Sequence, residues 1–206
     1  MAVNVGISRN PETELEMELE MEMEMEMEME MEMKNPTFDP CCRCVPGDAA
    51  IKWLLRAAGT PFHVILHQRR VAEVTLRIGE ICARHAPVDL ELLVAAAQLH
   101  DILKTRPNHA KMGAVFLANN GFPEVGEIVG GHMDLPSTAS EETKLLYLAD
   151  KYVDGTEVVS LREREKSARE KFSSNREALK TALRRMWAAF EIERQVKKLT
   201  GEFCLP

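Results

Sequence analysis

The chain of 206 residues has the length of one ordinary domain with appendages, and its formal net charge of -7 is unevenly placed. Residues 1–34 hold eleven of the 33 acidic side chains but only two of the 26 basic ones, Arg9 and Lys34, so the remainder carries 24 basic and 22 acidic groups and a net charge of +2. The acidity therefore belongs to the tail and does not describe the substrate of the folded part. Five cysteines, three of them crowded at Cys41, Cys42 and Cys44, argue against a disulfide framework. Met1 to Asn10 has neither a basic nor an apolar leader region, and no apolar run reaches the ~18 residues of a spanning helix, so a soluble, cytoplasmic protein without a membrane partner is expected.

From Glu14 to Met33 glutamate alternates with methionine, or with leucine at Leu15 and Leu19. The period of two suggests a strand, whereas both residue types favour helix. A helix would place like charges at i,i+4 and a strand would stack glutamates on one face. Residues 1–34 are therefore expected to be a disordered low-complexity tail. Residues 35–47 contain Pro36, Pro40 and Pro46 and read as a linker, whose cysteines lack a second pair at zinc-site spacing.

Beyond the linker the punctuation is helical, and an all-α domain over residues 48–172 with a C-terminal helix docked on it over 173–206 is expected. A short amphipathic helix runs from Ala49 to Ala58 and stops at Gly59. Thr60 is positioned to cap the next, with Pro61 first and His67, Val71, Val74 and Ile78 down its inner face to about Ala83. Asp89 caps a central run that Pro107 ends; Pro107 also opens a helix closing at Asn119-Asn120-Gly121, and Pro123 starts another that reaches His132. Thr138 and Glu141 have the spacing of a capping box before a helix ending near Asp150, and Ser174 and Glu177 repeat it before a long helix stopped by Gly201. No convincing strand pair is read, and Glu157 to Leu161 is ambiguous. The last helix carries a stripe of Leu179, Leu183, Met186 and Phe190 with a basic face beside it. Without aromatic interleaving this reads as a docking helix, and no nucleic-acid partner is expected.

The central run, Leu92 to Leu99, is almost wholly apolar and then delivers His100, Asp101 and, further on, Lys104. A buried carboxylate needs a partner, and a metal cation is a suitable one. Other side chains able to bind a metal at inner or helix-end positions are His67, His109, His132 and Asp150. His63 and His85 read as packed or surface residues.

The ordered pieces His67-Gln68-Arg69-Arg70-Val71-Ala72, Leu99-His100-Asp101-Ile102-Leu103-Lys104 and Leu146-Tyr147-Leu148-Ala149-Asp150-Lys151 resemble the HD superfamily of metal-dependent phosphohydrolases over roughly residues 60–155. His109-Ala110-Lys111-Met112-Gly113-Ala114 and Gly130-Gly131-His132 fall where its dinuclear members carry second-metal ligands. The resemblance implies one divalent ion on His67, His100, Asp101 and Asp150, and a second on His109 and His132 with Asp101 bridging. Mixed imidazole and carboxylate ligation suits Fe, Mn, Ni, Co or Zn. Within the superfamily the sequence looks nearest to the bacterial hydrolases that split diadenosine tetraphosphate symmetrically, and to small HD domains that stand alone or are fused to a nucleotidyltransferase. It departs from the former at Met133-Asp134-Leu135-Pro136, which replaces a Thr-Thr-Gly element. The Gly-Tyr-Pro element of the cyclic-dinucleotide phosphodiesterases and the Glu-Asp pair of the stringent-response hydrolases are missing.

The implied substrate is a small phosphorylated molecule such as a nucleotide. Two cations ~3.5 to 4 Å apart would activate a hydroxide for in-line attack on phosphorus. Lys104, one turn past the His-Asp pair, would meet the charge that develops, with Asp101 at the centre of catalysis. Lys111 and Lys151 are further candidate contacts to phosphate. The same ligands also suit two alternatives, a di-iron oxygenase of the same superfamily and a metal-bound nucleotide-sensing or interaction module with little turnover.

Overall fold

A computed structural model describes residues 45–201. The tail 1–34, most of the 35–47 linker with its three cysteines, and the last five residues lie outside the described residues. The described fold is all-α: eight helices with one minimal hairpin. No described helix is long and apolar enough to cross a membrane.

Helix α1 (Asp48–Ala58) ends where Gly59 turns left-handed (φ 65°). Gly59 N–H donates to the Arg56 carbonyl and Thr60 N–H to that of Leu55, each at 3.0 Å, satisfying carbonyls that a helix end otherwise leaves unpaired. The next helix, α2 (Phe62–Ala83), buries Val64, Val71, Val74 and Ile78. Pro61 precedes it without a side-chain cap, and Thr60, expected to cap it, instead donates its hydroxyl to the Ile102 carbonyl at 2.8 Å.

That bond bears on the central run. Asp89 does cap α3 (Leu90–Leu99), accepting from Leu92 N–H at 3.0 Å. The helix nevertheless stops at Leu99 and not at Pro107, and the chain tightens into successive i,i+3 turns from Leu99 to Ile102, Asp101 to Lys104 and Leu103 to Arg106. The Thr60 hydroxyl reaches the Ile102 carbonyl within this stretch. The turns lead to Asn108, whose left-handed φ of 53° starts α4 (His109–Asn119) two residues later than Pro107 suggests.

Helix α5 (Pro123–Gly131) lies close on α4: a Cβ at Gly126 would stand 2.6 Å from the Ala114 carbonyl oxygen. Helix α6 (Glu141–Lys151) is capped by Ser140, not by Thr138, because a turn from Pro136 to Ala139 delays the start. Val153–Asp154 (β1) then pairs antiparallel with Glu157–Val158 (β2), a hairpin the sequence reading lacks. Its signal was present in Gly155-Thr156, a two-residue loop with glycine first, where Gly155 takes φ 61°.

The capping box proper belongs to Ser160 and Glu163, at the head of α7 (Leu161–Lys171). Helix α8 (Arg176–Thr200) is capped by Asn175 in place of Ser174, since the chain turns once more from Phe172 to Asn175. Its buried face is Met186, Ala189, Ile192 and Val196; of the expected stripe only Met186 is fully covered. Tyr147 and Tyr152 tie this helix to α6 and the residue after it, donating to the Arg185 carbonyl (2.9 Å) and the Glu193 carboxylate (2.5 Å). The core lies where α3, apolar on most of its circumference, is covered by α2, α5 and α6.

Candidate metal centre

Two helix ends are built alike. His100 and His132 are the C-cap residues of α3 and α5, and each directs Nδ1 to the carbonyl three residues earlier, Ala97 at 2.8 Å and Val129 at 2.7 Å. Those carbonyls belong to a last helical turn, where backbone acceptors lack helical partners. His67 does the same across the fold, with Nδ1 2.7 Å from the Gly155 carbonyl in the hairpin turn. A carbonyl oxygen only accepts, so in all three rings Nδ1 carries the proton and a neutral ring leaves Nε2 as a lone pair. Ring orientation and tautomer are fixed in the manner of metal-ligating histidines.

The Nε2 atoms point at two carboxylates. His67 Nε2 and His100 Nε2 lie 3.3 and 3.6 Å from Asp150 Oδ1. His109 Nε2 and His132 Nε2 lie 3.0 and 3.2 Å from Asp101 Oδ1, while Asp101 Oδ2 faces His100 Nε2 at 3.5 Å. The rings form a row, His67, His100, His132, His109, with neighbouring centroids 5.1 to 5.3 Å apart.

Six side chains from five helices and a turn thus converge as two triads, His67, His100 and Asp150, and Asp101, His109 and His132, the donor atoms within each lying within 4.8 Å of one another. His100, Asp101 and His132 are 1% exposed, and Nε2 of His100, His109 and His132 and Oδ1 of Asp101 lack hydrogen-bond partners. Lone pairs facing carboxylate oxygens in a buried place are repulsive unless a cation stands between them. The donor set therefore fits divalent metal, and the two oxygens of Asp101 face different triads.

Burial pushes both carboxylates toward the neutral acid and is outweighed. Asp101 is held far below the usual carboxylate range chiefly by the charge on His100, and Asp150 well below it chiefly by Lys151. Burial also disfavours the imidazolium of His132, lowering its pKa. At His100 burial acts in the same direction, but Asp101 and Asp150 prevail and the pKa rises.

The three lysines singled out from the sequence part company. Lys104 is not on the helix of His100; the turn after α3 brings its Nζ to Asp101 Oδ2 at 2.6 Å, with the side chain 45% exposed. Lys151 is buried, paired with Asp150 and lying over the Tyr147 ring. Lys111 is exposed and is not among the residues lining the cavity above the site. His63, read as a packed or surface residue, is exposed at the cavity wall, and His85 is at the surface. Sequence reasoning missed the wall supplied by α7 and α8, including Arg164, Phe172 and Arg185, for which no spacing rule gave a signal. The departure at Met133-Asp134 has a structural role: Asp134 accepts from Arg184 at 3.0 Å and from both Nε (3.1 Å) and an Nη (2.7 Å) of Arg185.

Comparison with protein-family models matches residues 64–154 to the HD domain, a span containing all six converging residues. HD domains form a superfamily of mostly metal-dependent phosphohydrolases that bind divalent metals. Comparisons with curated proteins and with solved structures gave no match.

Proposed function

We propose that this HD-domain chain is a phosphohydrolase that cleaves a nucleotide or another small phosphoester with two divalent cations. The observation that carries the reading is the buried Nε2 atoms of His100, His109 and His132, which face carboxylate oxygens and lack hydrogen-bond partners, in a row of rings of which His67, His100 and His132 hold Nδ1 against a backbone carbonyl. His67, His100 and Asp150 would hold one ion and His109, His132 and Asp101 the other. When bound, such ions supply Lewis acidity and make water a nucleophile at neutral pH.

The chain's own contribution is positional. Backbone carbonyls of Ala97, Val129 and Gly155 fix the rings, so little reorganisation accompanies reaction. Lys104, half exposed beside Asp101 at the cavity, is placed to swing onto a phosphoryl oxygen, whereas Lys151 holds Asp150. Lys111 has no part in this reading.

The test is elemental analysis of protein purified without chelator, followed by phosphate release from a panel including mononucleotides and diadenosine tetraphosphate with Mn, Fe or Co. About two metal equivalents and release from at least one ester are expected. Metal without release from any ester overturns the hydrolase reading, and oxygen consumption by the iron-loaded, partly reduced protein then favours an oxygenase.

A further inference from the structure

The cavity above the metal centre extends well past the HD match. Its volume of about 830 Å³ falls in the range of ~300–1,000 Å³ typical of sites for organic ligands. Its lining includes His67, Asp101, Asp150 and Lys104. Another part of the lining, here called the wall, comes from α7 and α8, which follow residue 154: it includes Phe172 at the end of α7, and Ala178, Ala182 and Met186 on α8. Four-residue spacing puts the last three on one helix face, and the first two add only a methyl group each. Leu179 and Leu183, the bulky residues of that half of the helix, are half-buried and do not line the cavity.

The charge of this wall is largely cancelled from within. Arg164 is paired with Asp154 and Arg185 with Asp134, Lys171 rests over the Phe172 ring, and Glu177 adds a negative charge. Such a surface suits an uncharged ring better than a second phosphate group.

We infer that Phe172, Ala178, Ala182 and Met186 hold the organic group of the substrate, a planar ring, so that α7 and α8 select ring-bearing phosphoesters over polyol phosphates. The inference rests on the phosphohydrolase reading for its reaction, but the wall can be tested by binding alone. Adenosine 5′-phosphate and benzyl phosphate would be compared with glycerol phosphate, all three having alkoxide leaving groups, using the full-length, Mn-loaded protein.

The wild type is expected to prefer both ring esters by at least about tenfold in kcat/KM. Ala182→Leu, which fills the wall, and Phe172→Ala, which strips it, each remove about tenfold of that preference, mainly through KM, with metal content unchanged and glycerol phosphate within about twofold. No preference in the wild type, or equal losses on all three esters, overturns the inference. If no ester is hydrolysed, calorimetric titration with adenosine 5′-phosphate decides separately: at least about fivefold weaker binding by both variants supports the wall, and unchanged affinity or no binding by the wild type overturns it. Should Phe172→Ala fail to fold, Ala178→Val takes its place with the same expected outcomes.

Discussion

Asp101 is the side chain on which the arrangement turns. It is 1% exposed, sits immediately after the C-cap of α3, and faces His109 and His132 with one oxygen and His100 and Lys104 with the other. Truncating it removes the one carboxylate of the triad with His109 and His132 and the oxygen that faces His100, and leaves Lys104 without its partner. Since partners one step removed from a metal already change affinity or activity by ~10–100-fold, Asp101→Ala is expected to lose more than about a hundredfold in activity and to retain less than one metal equivalent. Phosphate release and elemental analysis measure both, and retention of metal and turnover would dismantle the site. Cys82, on the far part of α2, makes a different prediction. It is 2% exposed, and burial, reinforced by the nearby Glu141 carboxylate, raises its thiol pKa. The raised value means the fold favours the thiol: this contribution to stability is complete below the unfolded-state pKa and is lost as pH rises through the folded one. Iodoacetamide at pH 8 should therefore label Cys82 at least about tenfold more slowly in native than in denatured protein, as read by peptide mapping, and rapid native labelling would show that the residue is not sequestered.

Helices α4 and α5 pack closely, and their ends carry His109 and His132. Gly126 is what permits the approach, since an added Cβ would meet the Ala114 carbonyl oxygen at 2.6 Å, and backbone cannot yield as a flexible side chain can. Gly126→Ala should cost ~1–3 kcal/mol in denaturant titration and, by separating the two imidazoles, weaken the Asp101 triad more than the Asp150 triad. A stability gain, the usual result of glycine to alanine in a helix, would show that the pair is not held so tightly. The six converging residues were legible because their types and order are unusual, and each sits at a helix end or on an inner face that apolar periodicity marks. The end of α3 was not legible: the helix gives way to i,i+3 turns from Leu99 on, before Pro107, in a stretch whose Ile102 carbonyl Thr60 bonds from 42 positions earlier, a tertiary contact that local pattern does not contain. Caps misread at Thr138 and Ser174 share a cause, because Pro136 and Phe172 start turns that move the helix start to the next competent side chain. The α7–α8 wall was hidden for another reason: Ala178 and Ala182 matter for the space they leave, and small residues in a helix look the same whether they line a cavity or face another helix.

On the scale of the molecule the triads act as a tie. His67 comes from α2, His100 and Asp101 from the end of α3, His109 from α4, His132 from the end of α5 and Asp150 from α6, so five of the eight described helices meet at one place. In the folded chain the six side chains stand together, whereas the unfolded chain spreads them over more than eighty positions, and a cation should bind the native state almost exclusively. Stabilisation then follows mass action, about 2.7 kcal/mol when free metal is a hundred times its Kd. For a domain of this size each kcal/mol moves Tm by ~2–4 °C, so one occupied site should raise Tm by roughly 5–11 °C. Dialysis against a chelator is thus expected to lower Tm by at least that much, and Mn or Co to restore it in a concentration-dependent way. Asp101→Ala should melt near the metal-free protein and gain little from added metal, because the same substitution weakens both triads. Identical melting curves with and without metal, once elemental analysis has shown the metal gone, would mean that the converging histidines and aspartates are not a cation site.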